Sequence, residues 1–246
     1  MPENERPPAA APLSRERWCE LLLEGELDVE GRMPWSSNVT LLVTVTLEQD
    51  ARRAIYKPGR GEQPLWDFPD GVYRYEVAAY AMSVAFGLDI IPETVLRIDA
   101  PYGEGSVQRF IEANFEEHYF TLLEDPRYEE QLRVIAGFDV LANNADRKGG
   151  HLLVDDGGRI FAIDNGLCFH PDPKLRTVMW DFAGDEVPEV ILAGAQALVS
   201  SPPASLVELL SNRELDALRE RAAELLVTRY FPEPDFDGRP YPWPRI

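Results

Sequence analysis

The spacing of hydrophobic residues changes from helical to strand-like in the first fifth of the chain. Residues 14–25 are predicted to form a helix because their apolar side chains share one face; these are Trp18, Leu21 and Leu22. Residues 38–49 alternate valine and leucine with threonine, which predicts a half-buried β-strand. The sequence therefore places a helix ahead of the first predicted strand of a sheet.

A second predicted strand follows and carries a lysine. Residues 53–58 (RAIYKP) favour a strand that ends at Pro58, and a turn near residues 49–52 joins it to the strand before. We expect the two strands to form an antiparallel hairpin with Lys57 near its end.

Helical spacing returns in the middle of the chain. Residues 72–86 predict a helix with Glu76 in its first turn, at the border of an apolar stripe formed by Val77, Tyr80, Ala81 and Val84. Residues 92–98 and 105–112 predict further strands, and the pattern from about Glu112 onward is mainly helical. The sequence thus predicts a small antiparallel sheet with one helix, followed by a larger helical part.

A short hairpin interrupts the helical part. Residues 151–163 consist of two apolar runs on either side of the turn sequence Asp-Asp-Gly-Gly. If Val154 pairs with Arg159, Asp164 lies diagonally across from His151 on one face of the hairpin. The hairpin would then bring an imidazole and a carboxylate together at its open end.

Asp146 and Lys148 precede the hairpin by a few residues and belong to the same open end. In phosphoryl transfer, one carboxylate orients the acceptor hydroxyl and a lysine offsets charge on the moving group, while a second carboxylate holds Mg²⁺ against the nucleotide. The structural alternative is a polar glycine-containing turn followed by a turn that ends a strand. The joint occurrence of these residues downstream of Lys57 and Glu76 favours phosphoryl-transfer chemistry.

The loop before the first strand, residues 31–40 (GRMPWSSNVT), could approach nucleotide phosphates. It is not a G-x-G-x-x-G loop, but Ser36, Ser37 and Asn38 offer hydroxyl and amide donors there. An ordinary turn leading into the strand is the alternative.

Composition and charge narrow the classes of partner. The formal net charge of −19 repels nucleic acid and anionic membrane surfaces, so neither is expected as a stable partner. No apolar run approaches the about 20 residues that span a bilayer. Cys19 and Cys168 are too few for a disulfide framework, so a cytoplasmic location is expected.

The order of predicted elements indicates an α+β fold with two lobes. Residues 1–13 are expected to be a disordered leader, residues 14–111 a sheet-containing lobe, and residues 112–246 a mainly helical lobe. The cleft is expected where the lobes meet, near residues 110–112.

Several stretches resemble one branch of the kinase superfamily. ADRKGGHLLV and FAIDNGLCF resemble the catalytic loop and metal motif of phosphatidylinositol 3-/4-kinase-like proteins, most closely the small bacterial kinase-like ones. AIYKP resembles their nucleotide-lysine strand, and YRYEVAAY the helix with the paired glutamate. The resemblance covers roughly Trp35 to Phe169 and implies a two-lobed protein-kinase-like fold with ATP in the cleft.

The resemblance also implies roles for individual residues. Lys57 would contact the α- and β-phosphates, with Glu76 as its partner. Asp146 would be the catalytic base and Asp164 the main metal ligand. The role of Lys148, to stabilise the transferred charge, is inferred from its position beside Asp146 and not from the resemblance.

Phe110 and Ile111 would lie at the hinge, where backbone groups meet adenine. The sequence departs from the family at His151, where the family has asparagine as a second metal ligand. Either the second metal is lost, or Mn²⁺ or Zn²⁺ is preferred over Mg²⁺, or His151 contacts phosphate directly. Asn143 and Asn144 are nearby amides that could replace the missing ligand.

The acceptor is left open by the sequence. The segment after the metal motif offers only Lys174 and Arg176 as basic residues, and this favours a protein or small-molecule hydroxyl over a phosphoinositide. The first hypothesis is an ATP-dependent phosphotransferase that uses Mg²⁺ or Mn²⁺. The alternatives are a nucleotide-binding pseudokinase that acts as a switch or scaffold, and a nucleotidyl transferase.

Overall fold

The structure, a computed structural model, describes residues 12–34 and 38–246. The first part of the chain forms a five-stranded antiparallel sheet with two helices. Its helices are α1 (Arg15–Glu24) and α2 (Tyr73–Ala85). Its strands are β1 (Glu26–Arg32), β2 (Leu41–Leu47), β3 (Asp50–Pro58), β4 (Thr94–Arg97) and β5 (Gly105–Arg109).

The second part is mainly helical and contains a two-stranded hairpin. The hairpin strands are β6 (Leu152–Val154) and β7 (Ile160–Ala162). The helices are α3 (Tyr119–Leu122), α4 (Glu129–Ala142), α5 (Glu189–Ser200), α6 (Ala204–Leu209) and α7 (Asn212–Thr228). The predicted α+β architecture is confirmed.

The sheet has the strand order β1-β2-β3-β5-β4, so β3 is central and Lys57 stands opposite Ser106 of β5. Helix α1 begins after Ser14, whose hydroxyl accepts from Arg17 N. Its predicted apolar face, Trp18, Leu21 and Leu22, is buried, and the helix packs on β2, β4 and β5. This small core holds the lysine strand in place.

Strand β1 is absent from the sequence prediction because it lies at the edge of the sheet. Among its side chains, only Leu27 is buried, and a bulge between Val29 and Gly31 interrupts the register. Strand β3 also begins earlier than predicted, because Leu47 pairs with Asp50 around a tighter turn. The hairpin that carries Lys57 is nevertheless formed as expected.

Helix α2 lies between the sheet and the helical part. It packs on β4 and β5 and also on α6. The predicted stripe is partly wrong, since Val84 is 36% exposed. The side chains that enter the large core of the helical part are Tyr75, Ala78, Ala79 and Met82. A largely apolar helix that packs against two neighbours has no single buried face, so the spacing alone could not select it.

Two separate hydrophobic cores give the molecule its two lobes, one under the sheet and one among the helices. The lobe boundaries at residues 13/14 and 111/112 stay predictions. Leu13 packs against the sheet core, and residues 1–11 of the predicted leader lie outside the described residues. Among the described helices, none is long and apolar enough to cross a bilayer.

Candidate active site

The β6–β7 hairpin has a different register from the predicted one. Val154 pairs with Ile160, not with Arg159, and Asp155 N donates to Arg159 O at 3.0 Å. The turn is therefore one residue shorter than predicted. Gly158, at φ +78°, adopts the left-handed conformation that such a three-residue turn requires.

Asp164 and His151 are close together despite the shifted register. His151 Nε2 lies 3.3 Å from Asp164 Oδ2. Asp164 follows the end of β7 and has a left-handed backbone, with φ +60°. This conformation, which aspartate tolerates better than most residues, turns the carboxylate toward the imidazole. The predicted proximity is confirmed, although through the backbone turn and not through regular strand pairing.

Lys57 joins the sheet, α2 and the hairpin. Its ammonium donates to a carboxylate oxygen of Glu76 and, at 2.8 Å, to Asp164 Oδ1. Burial opposes the charge of Lys57, but the two carboxylates outweigh burial and raise its pKa above the usual value. The charge of Lys57 in turn lowers the pKa of Asp164. The lysine is therefore charged and aimed at the half-exposed carboxylate of Asp164.

Glu76 links α2 to the residue after Asp164. Its second carboxylate oxygen accepts from Asn165 N at 2.9 Å, and its side chain is buried. The predicted pairing of Lys57 with Glu76 is confirmed. A buried carboxylate with two donors fixes the position of both elements.

Asp146 and Lys148 form a second acid–base pair. Lys148 Nζ donates to Asp146 Oδ2 at 2.8 Å, and Asp146 N donates to Asn144 Oδ1 at 2.9 Å. Burial raises the pKa of Asp146, while Lys148 works against that shift. One oxygen of the partly buried Asp146 carboxylate is therefore bonded to Lys148.

His151 is held as a neutral imidazole. Burial lowers its pKa to about 4, against the opposing charge of Asp164. Its Nδ1 accepts a long hydrogen bond from Lys148 N, at 3.4 Å. A neutral ring with Nδ1 as acceptor carries its proton on Nε2, which faces Asp164.

Arg147 and Asp139 form a buried pair that the sequence interpretation missed. Arg147 donates through Nε and Nη2 to the two carboxylate oxygens of Asp139, at 2.7 and 2.9 Å. Its guanidinium also donates to Ile163 O and Asn165 Oδ1, each at 2.7 Å. The pair thereby ties α4 and the catalytic loop to the end of the hairpin. The sequence does contain a signal of a buried charge, because Asp139 is the only charged residue in the apolar run VIAGFDVLA.

The chain is similar to known proteins over most of its length. The family model described as phosphatidylinositol 3- and 4-kinase matches residues 74–191. Protein Rv2133c of Mycobacterium tuberculosis (strain ATCC 25618 / H37Rv) is 37% identical over 262 residues, which cover 91% of this chain and 94% of that protein. The chain belongs to the phosphatidylinositol 3-/4-kinase-like family.

Similarity to solved structures shows which fold the chain adopts. Fam20 from hydra, determined with sugar, superposes with a TM-score of 0.55 at 13% identity, covering 83% of this chain and 85% of that chain. The Helicobacter pylori proinflammatory kinase CtkA has a TM-score of 0.49 at 12% identity, covering 85% and 94%. The likeness to Fam20 shows a two-lobed protein-kinase-like fold.

The predicted phosphate loop of this family member connects β1 and β2. Ser36 and Ser37 lie outside the described residues, so their predicted contacts stay predictions. Asn38 is described, and its Oδ1 accepts from Gln63 N at 2.9 Å. Asn38 therefore holds the loop after β3 close to the phosphate loop.

The predicted hinge residues, Phe110 and Ile111, lie next to the hairpin. Ile111 is buried in a small apolar cluster with Leu153 and Phe161, and Ile163 packs against it. Phe110 is half-buried, and its backbone N donates to Arg53 O at 3.3 Å. The cluster gives the predicted adenine position an apolar floor.

The basic residues that follow the predicted metal motif, Lys174 and Arg176, form ion pairs with Asp67. Lys174 Nζ lies 3.0 Å from Asp67 Oδ2, and Arg176 Nη2 lies 3.9 Å from the same atom. The two nearby amides are also engaged. Asn143 Oδ1 accepts from Lys174 N and Asn144 Oδ1 accepts from Asp146 N, each at 2.9 Å, so both amide oxygens already have donors. These contacts favour structural roles for the amides over metal ligation.

Proposed function

We propose that this family member is an ATP-dependent phosphotransferase that uses a divalent metal and acts on a hydroxyl acceptor. The observation that carries the proposal is the contact of Lys57 with both Glu76 and Asp164. A lysine held charged between a helix glutamate and the metal-motif aspartate is the arrangement that supports nucleotide phosphates in kinase-like folds.

ATP is the phosphoryl donor in this proposal. Lys57 would bind the α- and β-phosphates, and Asn38, with Ser36 and Ser37, would approach them from the phosphate loop. The hinge backbone at Phe110 and Ile111 would meet adenine above the apolar cluster. The strand that carries Lys57 would then supply positive charge to the phosphates, and the apolar cluster would contact the adenine base.

The donor groups fit a divalent metal that is shared with phosphate. Within the described residues, no group of three or more His, Cys, Asp or Glu side chains is arranged to hold a metal alone. Mg²⁺ and Mn²⁺ sites in phosphotransferases take one or two carboxylates and complete their shell with phosphate and water. Asp164 would hold the ion, which supplies charge neutralisation to the phosphates when bound. His151 would be the second ligand only with its proton moved from Nε2 to Nδ1.

Asp146 and Lys148 would serve the acceptor. Asp146 takes the acceptor hydroxyl proton as the acceptor oxygen bonds to the γ-phosphorus. The bond between that phosphorus and the β–γ bridging oxygen breaks, and ADP leaves. Lys148 offsets negative charge on the transferred group, since its ammonium is already beside Asp146.

A protein or small-molecule hydroxyl fits this site better than a phosphoinositide headgroup. Lys174 and Arg176 already face Asp67, and the chain carries a net charge of −19. Anionic headgroups on a membrane would meet repulsion without an unengaged basic loop to offset it.

The nucleotide site is tested by thermal unfolding with ATP and either Mg²⁺ or Mn²⁺. Ligand at 100 times its Kd stabilises the folded state by about 2.7 kcal/mol, so wild type should show a clear metal-dependent rise in Tm. Asp164→Asn should lose the rise, because asparagine keeps the left-handed backbone but not the charge. Asp156→Asn, at the exposed tip of the same hairpin, is the matched control.

No rise in Tm with any nucleotide or metal would contradict the proposal. A rise without any product would instead assign the chain to the nucleotide-binding pseudokinases, and an AMP-modified product would assign it to the nucleotidyl transferases.

A further inference from the structure

Residues 240–246 (PYPWPRI), here called the strap, contact the catalytic loop, residues 145–151, at one end and the segment around Thr177 and Trp180 at the other. Pro240 O accepts from Thr177 N at 3.0 Å and from Trp180 Nε1 at 2.8 Å. Further along, Arg245 O accepts from Gly149 N at 2.8 Å. The strap is therefore attached near both of its ends.

One attachment is in the loop itself, and the other is on a segment that pairs with the loop. Thr177 forms a β-bridge with Arg147, the residue after Asp146. Gly149 follows Lys148 directly. The strap thus passes the part of the loop that holds the proposed catalytic base and its lysine.

The strap is in close contact with the loop. A Cβ atom on Gly149 would lie 3.4 Å from Arg245 O and 3.2 Å from a ring carbon of Phe120. A Cβ atom on Gly150 would lie 4.0 Å from a side-chain carbon of Ile246. The end of the strap therefore lies within van der Waals distance of the loop at both glycines.

The strap is stiff. Three of its residues are proline, Pro242 is buried, and the Arg245 guanidinium stacks 3.9 Å from the centre of the Tyr241 ring. Proline fixes φ, so holding this segment in place costs less conformational entropy than holding a flexible one.

Extended peptides bind protein surfaces through hydrogen bonds to available main-chain groups. On this surface the strap already satisfies the backbone N–H groups of Gly149 and Thr177. We propose that the strap excludes extended protein segments from the acceptor side of the site and so restricts the acceptor to a small-molecule hydroxyl. The inference rests on the phosphotransferase function proposed above and decides between its two acceptor classes.

The test compares the full chain with a variant that ends at Gly238. Each is incubated with ATP labelled at the γ-phosphate, Mn²⁺, and an unfolded polypeptide rich in serine, threonine and tyrosine. The variant is expected to label the polypeptide at least tenfold faster than the full chain. Equal labelling, including none by either protein, overturns the proposal.

The ATP-dependent rise in Tm separates this inference from the function it rests on. If the rise is present in both proteins and labelling is equal, the strap does not set the acceptor class and the nucleotide site stands. If the rise is absent from the full chain, the phosphotransferase proposal itself fails.

A full-length variant covers the case in which truncation impairs folding. Trp180→Phe combined with Tyr241→Ala removes one donor to Pro240 O and the ring under Arg245. Hydrogen exchange at the Gly149 amide should become at least tenfold faster, with a parallel rise in polypeptide labelling. Trp243→Ala, on a strap side chain that is 90% exposed, should change neither quantity. Faster exchange without faster labelling overturns the proposal.

Discussion

Arg147 is a buried residue whose hydrogen bonds connect the elements that form the candidate site. Its guanidinium is buried and bonds to Asp139, to the carbonyl before Asp164, and to Asn165. A single side chain therefore connects α4, the catalytic loop and the metal motif. None of these contacts touches the proposed substrates, so Arg147 is a positioning residue.

Replacing Arg147 should be costly because it leaves a buried carboxylate unpaired. Arg147→Met is expected to lower the free energy of unfolding by about 3–5 kcal/mol, measured by chemical denaturation. The matched control is Arg127→Ala, which breaks an ion pair with Asp125 whose arginine side chain is 79% exposed. That change should leave the free energy of unfolding close to the wild-type value, because an exposed ion pair contributes little. Equal losses in the two variants would contradict the role given to Arg147.

At the scale of single residues, the sequence predicts the spatial proximity of polar residues that lie close together along the chain. Asp146, Lys148 and His151 fall within six positions, and Asp164 returns to them across one hairpin. The Asp139–Arg147 pair joins a helix to a loop and needs the tertiary arrangement. The lone charge of Asp139 in an apolar run indicates that this residue needs a buried partner, but the sequence does not identify that partner as Arg147.

Helix α2 is fixed at its first turn by a glutamate from the preceding loop. Val72 stands at the N-cap position and offers no side-chain hydrogen bond. The Glu62 carboxylate instead accepts from the backbone N of Gly71, Val72 and Tyr73, at 2.8, 3.2 and 2.8 Å. Because Glu76 lies one turn further on, this cap also orients the partner of Lys57.

Removal of the cap should loosen α2 and weaken nucleotide binding. Glu62→Ala is expected to lower the free energy of unfolding by about 1–2 kcal/mol, the usual cost of losing a helix cap. The ATP-dependent rise in Tm should become smaller as well. Gln63→Ala changes the exposed neighbouring side chain and should leave both quantities near wild type. An unchanged response to ATP in Glu62→Ala would show that the cap does not support the site.

Most elements could be predicted from the period of their hydrophobic residues, and the exceptions have physical causes. Strand β1 is polar because it lies at an edge, and its spacing carries little signal. The β6–β7 register depended on whether the turn used four residues or three, and glycine at position 158 permits the shorter one. Helix α2 packs on two sides, so its buried face could not be read from an apolar stripe.

At the scale of the whole molecule, the contacts of Lys57 with Glu76 and Asp164 join two separately packed lobes. The net charge of −19 opposes binding to anionic surfaces, and the basic residues after the metal motif are engaged by Asp67. The charge distribution therefore supports an acceptor that is free in solution.

This view predicts the behaviour of the full chain with lipid vesicles. Less than about a tenth of the protein should sediment with vesicles that contain anionic phosphatidylinositol, because both surfaces are negative. Vesicles of a zwitterionic lipid alone provide the control for apolar binding. Binding to the anionic vesicles that strengthens as salt is lowered would reveal a basic patch and contradict the expectation.

The central claim is that the site transfers the γ-phosphoryl group of ATP, and product masses test it most directly. Wild type and Asp146→Asn are incubated with ATP, Mn²⁺ and small polyols such as glycerol and free inositol, and all products are identified by mass spectrometry. Wild type should form ADP together with inorganic phosphate or a phosphorylated polyol. Asp146→Asn should lower the rate by at least about 100-fold, the usual contribution of a general base, while keeping the ATP-dependent rise in Tm. An AMP-modified product, or no turnover by wild type, would contradict the account.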